Sequence, residues 1–214
     1  MKKKITVIAL VACLLTILVG TSLAYFMDTD EATNTFTVGS VEIEQKEVFT
    51  QNSELLPVVG TDPTVATDNY VQTYVAVPAV LDNAGVLKLW DNNATTNGWT
   101  KDATAVAKDV SITGETLKYN VYRYRYNNAL VAGAETAACL DYVYIDSATD
   151  LDVNRNANDA ITSAYFVGAN GTIEGFNVAT DTLTVYVASQ AVQADGFADA
   201  DAALKATFSE HPFK

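Results

Sequence analysis

The sequence predicts a mainly β protein, an antiparallel jelly roll or β-sandwich with one short C-terminal helix and an extended N-terminal arm. Apolar and polar residues alternate with a period of two in several segments, which indicates strands with one buried face. Turn-rich stretches separate these segments, such as "DNNATTNG" (Asp91 to Gly98) and "GANG" (Gly168 to Gly171). About eight strands without intervening helices are typical of this fold class.

The predicted strands share this alternation and carry β-branched or aromatic residues. They run from Phe36 to Val48, Val71 to Ala79, Val86 to Trp90, Val121 to Tyr126, Leu140 to Ile145, Ala164 to Val167 and Leu183 to Val187. "YNVYRYRYN" (Tyr119 to Asn127) could resemble an RNA-stacking surface, but two arginines do not make a basic footprint. We expect its tyrosines to pack across strands and Arg123 and Arg125 to pair with acids.

One helix is predicted, near the C-terminus, in "DADAALKATF". Asp199 can cap its first turn, and Leu204 and Phe208 are spaced so that both lie on one side. We therefore expect a short helix that covers the sheet.

Residues 1–24 have the features of a secretory signal: a basic start, an apolar run and small residues before Ala24. The alternative to a cleaved signal is a membrane anchor. The apolar run from Ile5 to Val19 is short for one, because a spanning helix needs about 20 residues. We expect cleavage between Ala24 and Tyr25.

Charge and cysteine content suit an exported polyanion. The signal contains three lysines, so its removal changes the formal net charge from −13 to −16. Such a chain repels nucleic acid and anionic membranes. Cys13 lies in the signal and leaves Cys139 alone, so we expect a fold held by its core rather than by a disulfide. Export from a Gram-positive type of cell fits best.

Candidate catalytic residues are few. His211 is the single histidine and lies close to the C-terminus, where we expect it to be exposed, so neither a two-histidine zinc motif nor a convincing catalytic triad is available. Acidic pairs are plentiful in such a chain and do not specifically support a glycosidase. We predict that the protein is not an enzyme and needs no cofactor.

A weak calcium candidate lies in "DLDVNRNAND" (Asp150 to Asp159). Asp150, Asp152 and Asn154, followed by Asn156 and Asn158, would share one face of an extended chain, and their oxygens suit Ca²⁺. A solvated polar strand or loop is the favoured alternative.

Two tryptophans flank the polar loop from Asp91 to Gly98. Trp90 and Trp99 could form a sugar-stacking pair on a carbohydrate-binding jelly roll. One buried and one incidental tryptophan is the favoured alternative.

"GTSLAYFMDTDEATNTFTVGSVEIE" (Gly20 to Glu44) resembles the N-terminus of the TasA/camelysin family of secreted biofilm-fibre proteins. The matching features are the Ala24 cleavage position, the aromatic pair after it, an Asp-Thr-Asp element, Asn34-x-Phe36 and Gly39 before a strand. Segments from Tyr70 to Asn83 and from Gln190 to Phe208 are similar, more loosely, to clostridial relatives.

The resemblance implies cleavage by a SipW-type signal peptidase, a jelly roll, and a homopolymer formed by donor-strand exchange in the extracellular matrix or at the cell surface. It also implies an alternative, because camelysin carries a metallopeptidase label. A carbohydrate- or calcium-binding module is the third function class.

The predicted donor strand extends from Tyr25 to about Val38. Its apolar anchors are Tyr25, Phe26, Met27, Phe36 and Val38. The apolar phase changes between Val38 and Val41, so we expect a hinge at Gly39 and Ser40. An ordinary first strand over residues 30–45 of the same sheet is the alternative. The predicted divisions are a signal (1–24), a donor arm (25–39) and a jelly-roll domain (40–214).

Overall fold

The structure is a computed structural model that describes residues 27–36, 68–131, 134–194 and 196–213. Eleven strands and two helices lie in these ranges. In chain order they are β1 (Met27–Phe36), β2 (Asn69–Pro78), α1 (Ala79–Asn83), β3 (Leu87–Trp90), β4 (Trp99–Lys101), β5 (Ala107–Ser111), β6 (Lys118–Tyr126), β7 (Tyr142–Ile145), β8 (Asp150–Arg155), β9 (Ile161–Gly168), β10 (Gly171–Asn177), β11 (Leu183–Gln193) and α2 (Ala200–Thr207).

The strands form three antiparallel sheets within the described residues. The largest has the order β1-β11-β2-β6-β4, and β5 also pairs with β6. A second sheet has the order β10-β9-β8, and β3 pairs with β7 in a third. The prediction of a mainly β, antiparallel chain with a short C-terminal helix is confirmed.

The main core lies between the large sheet and the two smaller ones. Apolar side chains from the centre of the large sheet meet residues of β3, β7, β9 and β10. Its buried members include Val71, Val75, Tyr124, Leu183, Leu87, Val143, Phe166 and Phe176.

The opposite face of the large sheet is also covered, by the C-terminal part of the chain. Leu204 of α2 packs with Val192, and Phe213 packs in the cluster that contains Tyr74 and Val121. Strand β2 is therefore buried on both faces, with Gln72 and Tyr74 almost as inaccessible as Val75. The prediction of one buried face is wrong for β2, because the C-terminal segment supplies a second layer.

Helix α2 begins as predicted. The Asp199 side chain accepts a hydrogen bond from the Ala202 backbone N–H at 2.8 Å, which satisfies one of the free donors of the first turn. Leu204 is buried and Phe208 packs partly buried beside it. The predicted apolar side of the helix is thus confirmed.

The remaining strand predictions differ in outcome. β3, β6, β7, β9 and β11 overlap the predicted segments, and the predicted turn at Gly168 to Gly171 connects β9 to β10. The prediction lacks β4, β5 and β10. It also lacks α1, which lies between β2 and β3, so the expectation of strands without intervening helices is wrong. The predicted strand from Phe36 to Val48 lies, beyond Phe36, outside the described residues.

Candidate assembly edge and surface sites

Strand β1 forms one edge of the large sheet and pairs with β11. Its register is continuous from Met27 opposite Val192 to Phe36 opposite Leu183, without a bulge. β11 in turn pairs with β2 through eight residues, from Tyr186 opposite Ala76 to Gln193 opposite Asn69. The arm therefore lies beside a strand that is part of the central sheet.

β11 contributes to both cores. Leu183 and Val185 belong to the main core, whereas Ala188 and Val192 face the C-terminal layer. A strand that pairs with β11 thus extends a sheet whose two faces are already packed. Without β1, the edge of β11 would present unpaired backbone groups, and such edges accept added strands.

The connection from β1 to β2 is long. Both strands are antiparallel to β11, so they run parallel to each other, and Phe36 lies at the Leu183 end while Asn69 lies at the Gln193 end. Residues 37–68, which are 32 residues, join these opposite ends. A ten-residue strand is about 33 Å long, whereas 32 residues can span up to about 100 Å. The length of the connection does not restrict β1 to its own chain.

The predicted donor residues fall partly within the described structure. Met27 and Phe36 are the first and last residues of β1. The other predicted residues lie outside the described ranges: the cleavage position (Ala24, Tyr25), the anchors Phe26 and Val38, and the hinge (Gly39, Ser40). In the single chain β1 pairs with its own β11. Exchange between chains stays a prediction.

The calcium candidate lies on β8, which pairs with β9. Asp150, Asp152 and Asn154 are opposite Val167, Tyr165 and Ser163, and β8 ends at Arg155. Asn154 donates a hydrogen bond to Ser163 Oγ at 3.3 Å.

The five residues of the calcium candidate do not share one face, and the favoured alternative, a solvated polar strand, fits the mostly exposed edge strand β8. Asn156 lies in the turn after β8, where its Oδ1 accepts hydrogen bonds from the backbone N–H groups of Asn158 and Ala160. Arg155 also pairs with Asp159 at 3.6 Å. Among the described residues no group of three His, Cys, Asp or Glu side chains could hold a metal ion.

The tyrosines of β6 bind acids beside the main core. Tyr122 donates to Asp82 Oδ2 and Tyr124 to Asp91 Oδ2, both at 2.8 Å. Burial, and then the neighbouring carboxylate, raises the pKa of each of these phenols. Lys101 Nζ lies 2.6 Å from Asp91 Oδ2. Tyr124 is also buried in the main core, and Tyr126 packs against Trp99 on the neighbouring β4 with ring centroids 5.3 Å apart. The predicted cross-strand packing of the ladder is thus confirmed.

The arginines of β6 pair with acids, and one of them, Arg125, connects the large sheet to the C-terminal layer. Asp102 accepts from Arg123 Nε at 2.8 Å and from Arg125 Nη2 at 3.2 Å. Arg125 also pairs with Asp201 of α2, and Lys205 Nζ lies 2.6 Å from the same carboxylate. The Lys205 hydrogen bond, together with the Arg125 charge, lowers the pKa of Asp201. The predicted pairing of both arginines with acids is confirmed.

The two tryptophans are not a surface pair. Trp99 is fully buried and donates its Nε1 proton to the Ala137 carbonyl at 2.7 Å. Trp90 is 36% exposed, and its ring stacks on Tyr142. Sequence reasoning missed Tyr142 and Tyr144 beside Trp90, since their proximity depends on strand pairing.

The remaining reactive side chains are part of the packed structure. His211 is partly buried, with its ring centroid 6.2 Å from that of Phe213, so the expectation of an exposed histidine is wrong. Phe213 anchors this end of the chain in the second layer.

Cys139 is a free, buried thiol, and burial raises its pKa. A raised pKa makes the nucleophilic thiolate scarce.

Comparison of the chain with protein-family models, curated proteins and solved structures gives no match. The resemblance of Gly20 to Glu44 to biofilm-fibre proteins therefore stays a prediction based on those residues. In the part of the chain that the structure describes, no helix combines the length and apolar character that crossing a membrane requires.

Proposed function

We propose that this chain is a secreted structural subunit that assembles into extracellular filaments by strand exchange, with a jelly-roll variant as its folded domain. The observation that carries the proposal is the uninterrupted ten-residue pairing of an edge strand, β1, at the end of a long connection. In the filament, β1 of one subunit takes the same place on β11 of the next.

Exchange keeps the backbone pairing of the single chain. Met27 would again lie opposite Val192 and Phe36 opposite Leu183, but in a neighbouring subunit. The ladder is the same in both arrangements, so the balance between them depends on chain entropy and subunit concentration. A head-to-tail contact of this kind does not close on itself and therefore produces a fibre.

Export would control assembly. In this proposal a SipW-type peptidase cleaves after Ala24, which frees the arm that begins at Tyr25. Until then the signal anchors the arm to the membrane, and polymerisation is delayed until the chain is outside the cell. The acidic net charge keeps subunits soluble before assembly. The main partner is a second copy of the same chain.

Deletion of residues 25–36 tests the proposal. We expect a soluble monomer whose β11 edge is open, and no fibres by electron microscopy. A synthetic peptide of residues 25–36 should bind this monomer and raise its melting temperature, because the peptide restores the missing strand. Fibres of unchanged appearance from the truncated chain would contradict strand exchange.

A point variant serves as the finer test. Phe36 lies opposite Leu183, which is buried in the main core. We expect Phe36→Asp to prevent fibre formation, because a carboxylate introduced at the position that pairs with a buried residue is costly to accommodate. The variant monomer should keep a single cooperative unfolding transition. Phe36→Leu is the matched control and should still assemble.

A further inference from the structure

The sheet formed by β3 and β7 has one face against the core and one face outward. Leu87 and Val143 are buried in the main core, and Leu89 and Ile145 pack partly buried against it. Because side chains alternate along a strand, the intervening residues lie on the opposite face. They are Lys88, Trp90, Tyr142 and Tyr144, which we call the aromatic platform.

The three rings of the platform contact one another. Trp90 lies opposite Tyr142 in the strand register, with ring centroids 5.4 Å apart and planes 8° from parallel. Tyr144 meets the other two rings edge-on, at 6.1 Å from Trp90 and 5.8 Å from Tyr142. These contacts fix the orientation of the indole, so its exposed part is a preorganised binding surface.

Hydrogen-bonding side chains lie at both ends of the platform. Beyond Trp90, Asn93 Nδ2 lies 3.1 and 3.2 Å from the two carboxylate oxygens of Asp141. The Asp141 backbone N–H donates to the Trp90 carbonyl at 2.9 Å, so the backbones of these two residues are adjacent. At the other end Lys88 Nζ lies 3.9 Å from Asp146 Oδ2. Apolar rings between polar pairs suit a ligand with apolar faces and hydroxyl edges.

The charge of the protein narrows the ligand class. With a formal net charge of −13, the protein repels anionic polymers such as nucleic acids and phosphate-containing glycans. Lys88 is the cation of the platform, and the Asp146 carboxylate 3.9 Å away offsets its charge. The platform therefore offers an anionic ligand little attraction. A neutral ligand meets no such repulsion. Pyranose rings have apolar C–H faces that pack on aromatic rings, and their hydroxyl groups pair with amides and carboxylates.

From this surface we infer that the aromatic platform binds a neutral polysaccharide, with Trp90 as the stacking residue and the Asn93–Asp141 pair as the group that recognises its hydroxyls. This site lies in a different sheet from β1 and β11. The inference is therefore independent of strand exchange.

Intrinsic fluorescence provides a direct test, because Trp99 is buried and Trp90 is exposed. The purified protein is titrated with cellohexaose, chitohexaose and laminarihexaose. We expect at least one of them to shift or quench the emission of Trp90, with binding confirmed by calorimetry. Trp90→Ala should weaken that binding at least tenfold, and Trp90→Tyr should restore part of it.

The matched control is Tyr165→Ala, which removes a partly exposed aromatic residue of β9, in another sheet. It should leave binding unchanged, and melting curves of all variants establish that they are folded. The inference is overturned if none of the three oligosaccharides binds at millimolar concentration, or if Trp90→Ala binds as well as the wild type. Trp90-dependent binding to uncharged phosphatidylcholine vesicles, with no sugar binding, would assign the platform to a membrane surface instead and overturn it too.

Discussion

The two ends of the chain are attached to the large sheet in different ways. β1 lies at its edge and is held by a regular backbone ladder with β11. The C-terminal layer lies on its face and is held by particular side chains, including the buried Leu204 and the pair between Arg125 and Asp201. A backbone ladder fits any strand of suitable register, whereas interlocking side chains fit one partner. In the proposed assembly, this difference makes β1, rather than the C-terminal layer, the end that would exchange between subunits.

The largest expected effect concerns the buried side of α2. Leu204 is 1% exposed, and Leu204→Ala should lower the free energy of unfolding by about 2–5 kcal/mol, because it leaves a cavity between the helix and the sheet. Urea denaturation of the arm-deleted monomer measures this. Ala206→Ser, at an exposed position of the same helix, is the control and should change little. Equal stability of both variants would mean that the C-terminal layer is not fixed as described.

The ion cluster between β6 and α2 should have the next largest effect. Asp102→Asn removes the charge that faces both Arg123 and Arg125, whose side chains are 16% and 22% exposed. We expect a loss of about 1–3 kcal/mol, since two partly buried guanidinium groups lose their charged acceptor. Loss of the same size in Asp152→Asn, on the exposed β8, would contradict a specific role for Asp102.

The helix cap allows a smaller and more specific test. Asp199→Ala removes the acceptor of the Ala202 N–H and should cost about 1 kcal/mol. Asp199→Asn keeps an oxygen in the same place and should remain close to the wild type. Both values come from the same urea curves, and similar losses in the two variants would indicate that charge rather than capping is involved.

The smallest expected effect is the pH dependence of Asp201. Its pKa is lowered from the ordinary value of 3.8, first by Lys205 and then by Arg125. Folding thus favours the ionised carboxylate of Asp201. This carboxylate contributes fully to the free energy of unfolding above pH 3.8, and the contribution is lost as the pH falls through the lower pKa of the folded state. Asp201→Asn should therefore differ most from the wild type near neutral pH, and the two unfolding free energies should converge in strong acid. A constant difference would contradict this linkage.

Local patterns predicted those parts of the fold that local chemistry determines. The alternation in Val71 to Val77 identifies β2, and Asp199 with Leu204 identifies α2. The missed strands have weak local signals: β4 has three residues, β5 contains Asp109 with a positive φ of 52°, and β10 includes two glycines. Their places depend on pairing with β6 and β9.

In the surface sites, too, the sequence identifies single residues, while their neighbours depend on tertiary pairing. Trp90 is notable in the sequence, but its stacking on Tyr142 depends on the pairing of two strands that are distant along the chain. The double burial of β2 likewise depends on a C-terminal segment that folds back over it. Sequence patterns identify the residues of a strand, whereas tertiary pairing decides which of its faces are covered.

A cysteine mixing experiment tests the central claim, strand exchange, most directly. Asp28 lies opposite Ala191 in the β1–β11 register. One population of chains carries Asp28→Cys and another carries Ala191→Cys, and the two are mixed before assembly and then oxidised. The native Cys139 is buried in both. Ser189→Cys, two residues out of register, replaces Ala191→Cys as the control. Exchange predicts a disulfide-linked heterodimer, formed with the fibres and absent from the control. The contradicting result has two parts: fibres form without this heterodimer, and the Asp28→Cys, Ala191→Cys double variant forms an intrachain disulfide. Together they would show that β1 stays on its own β11.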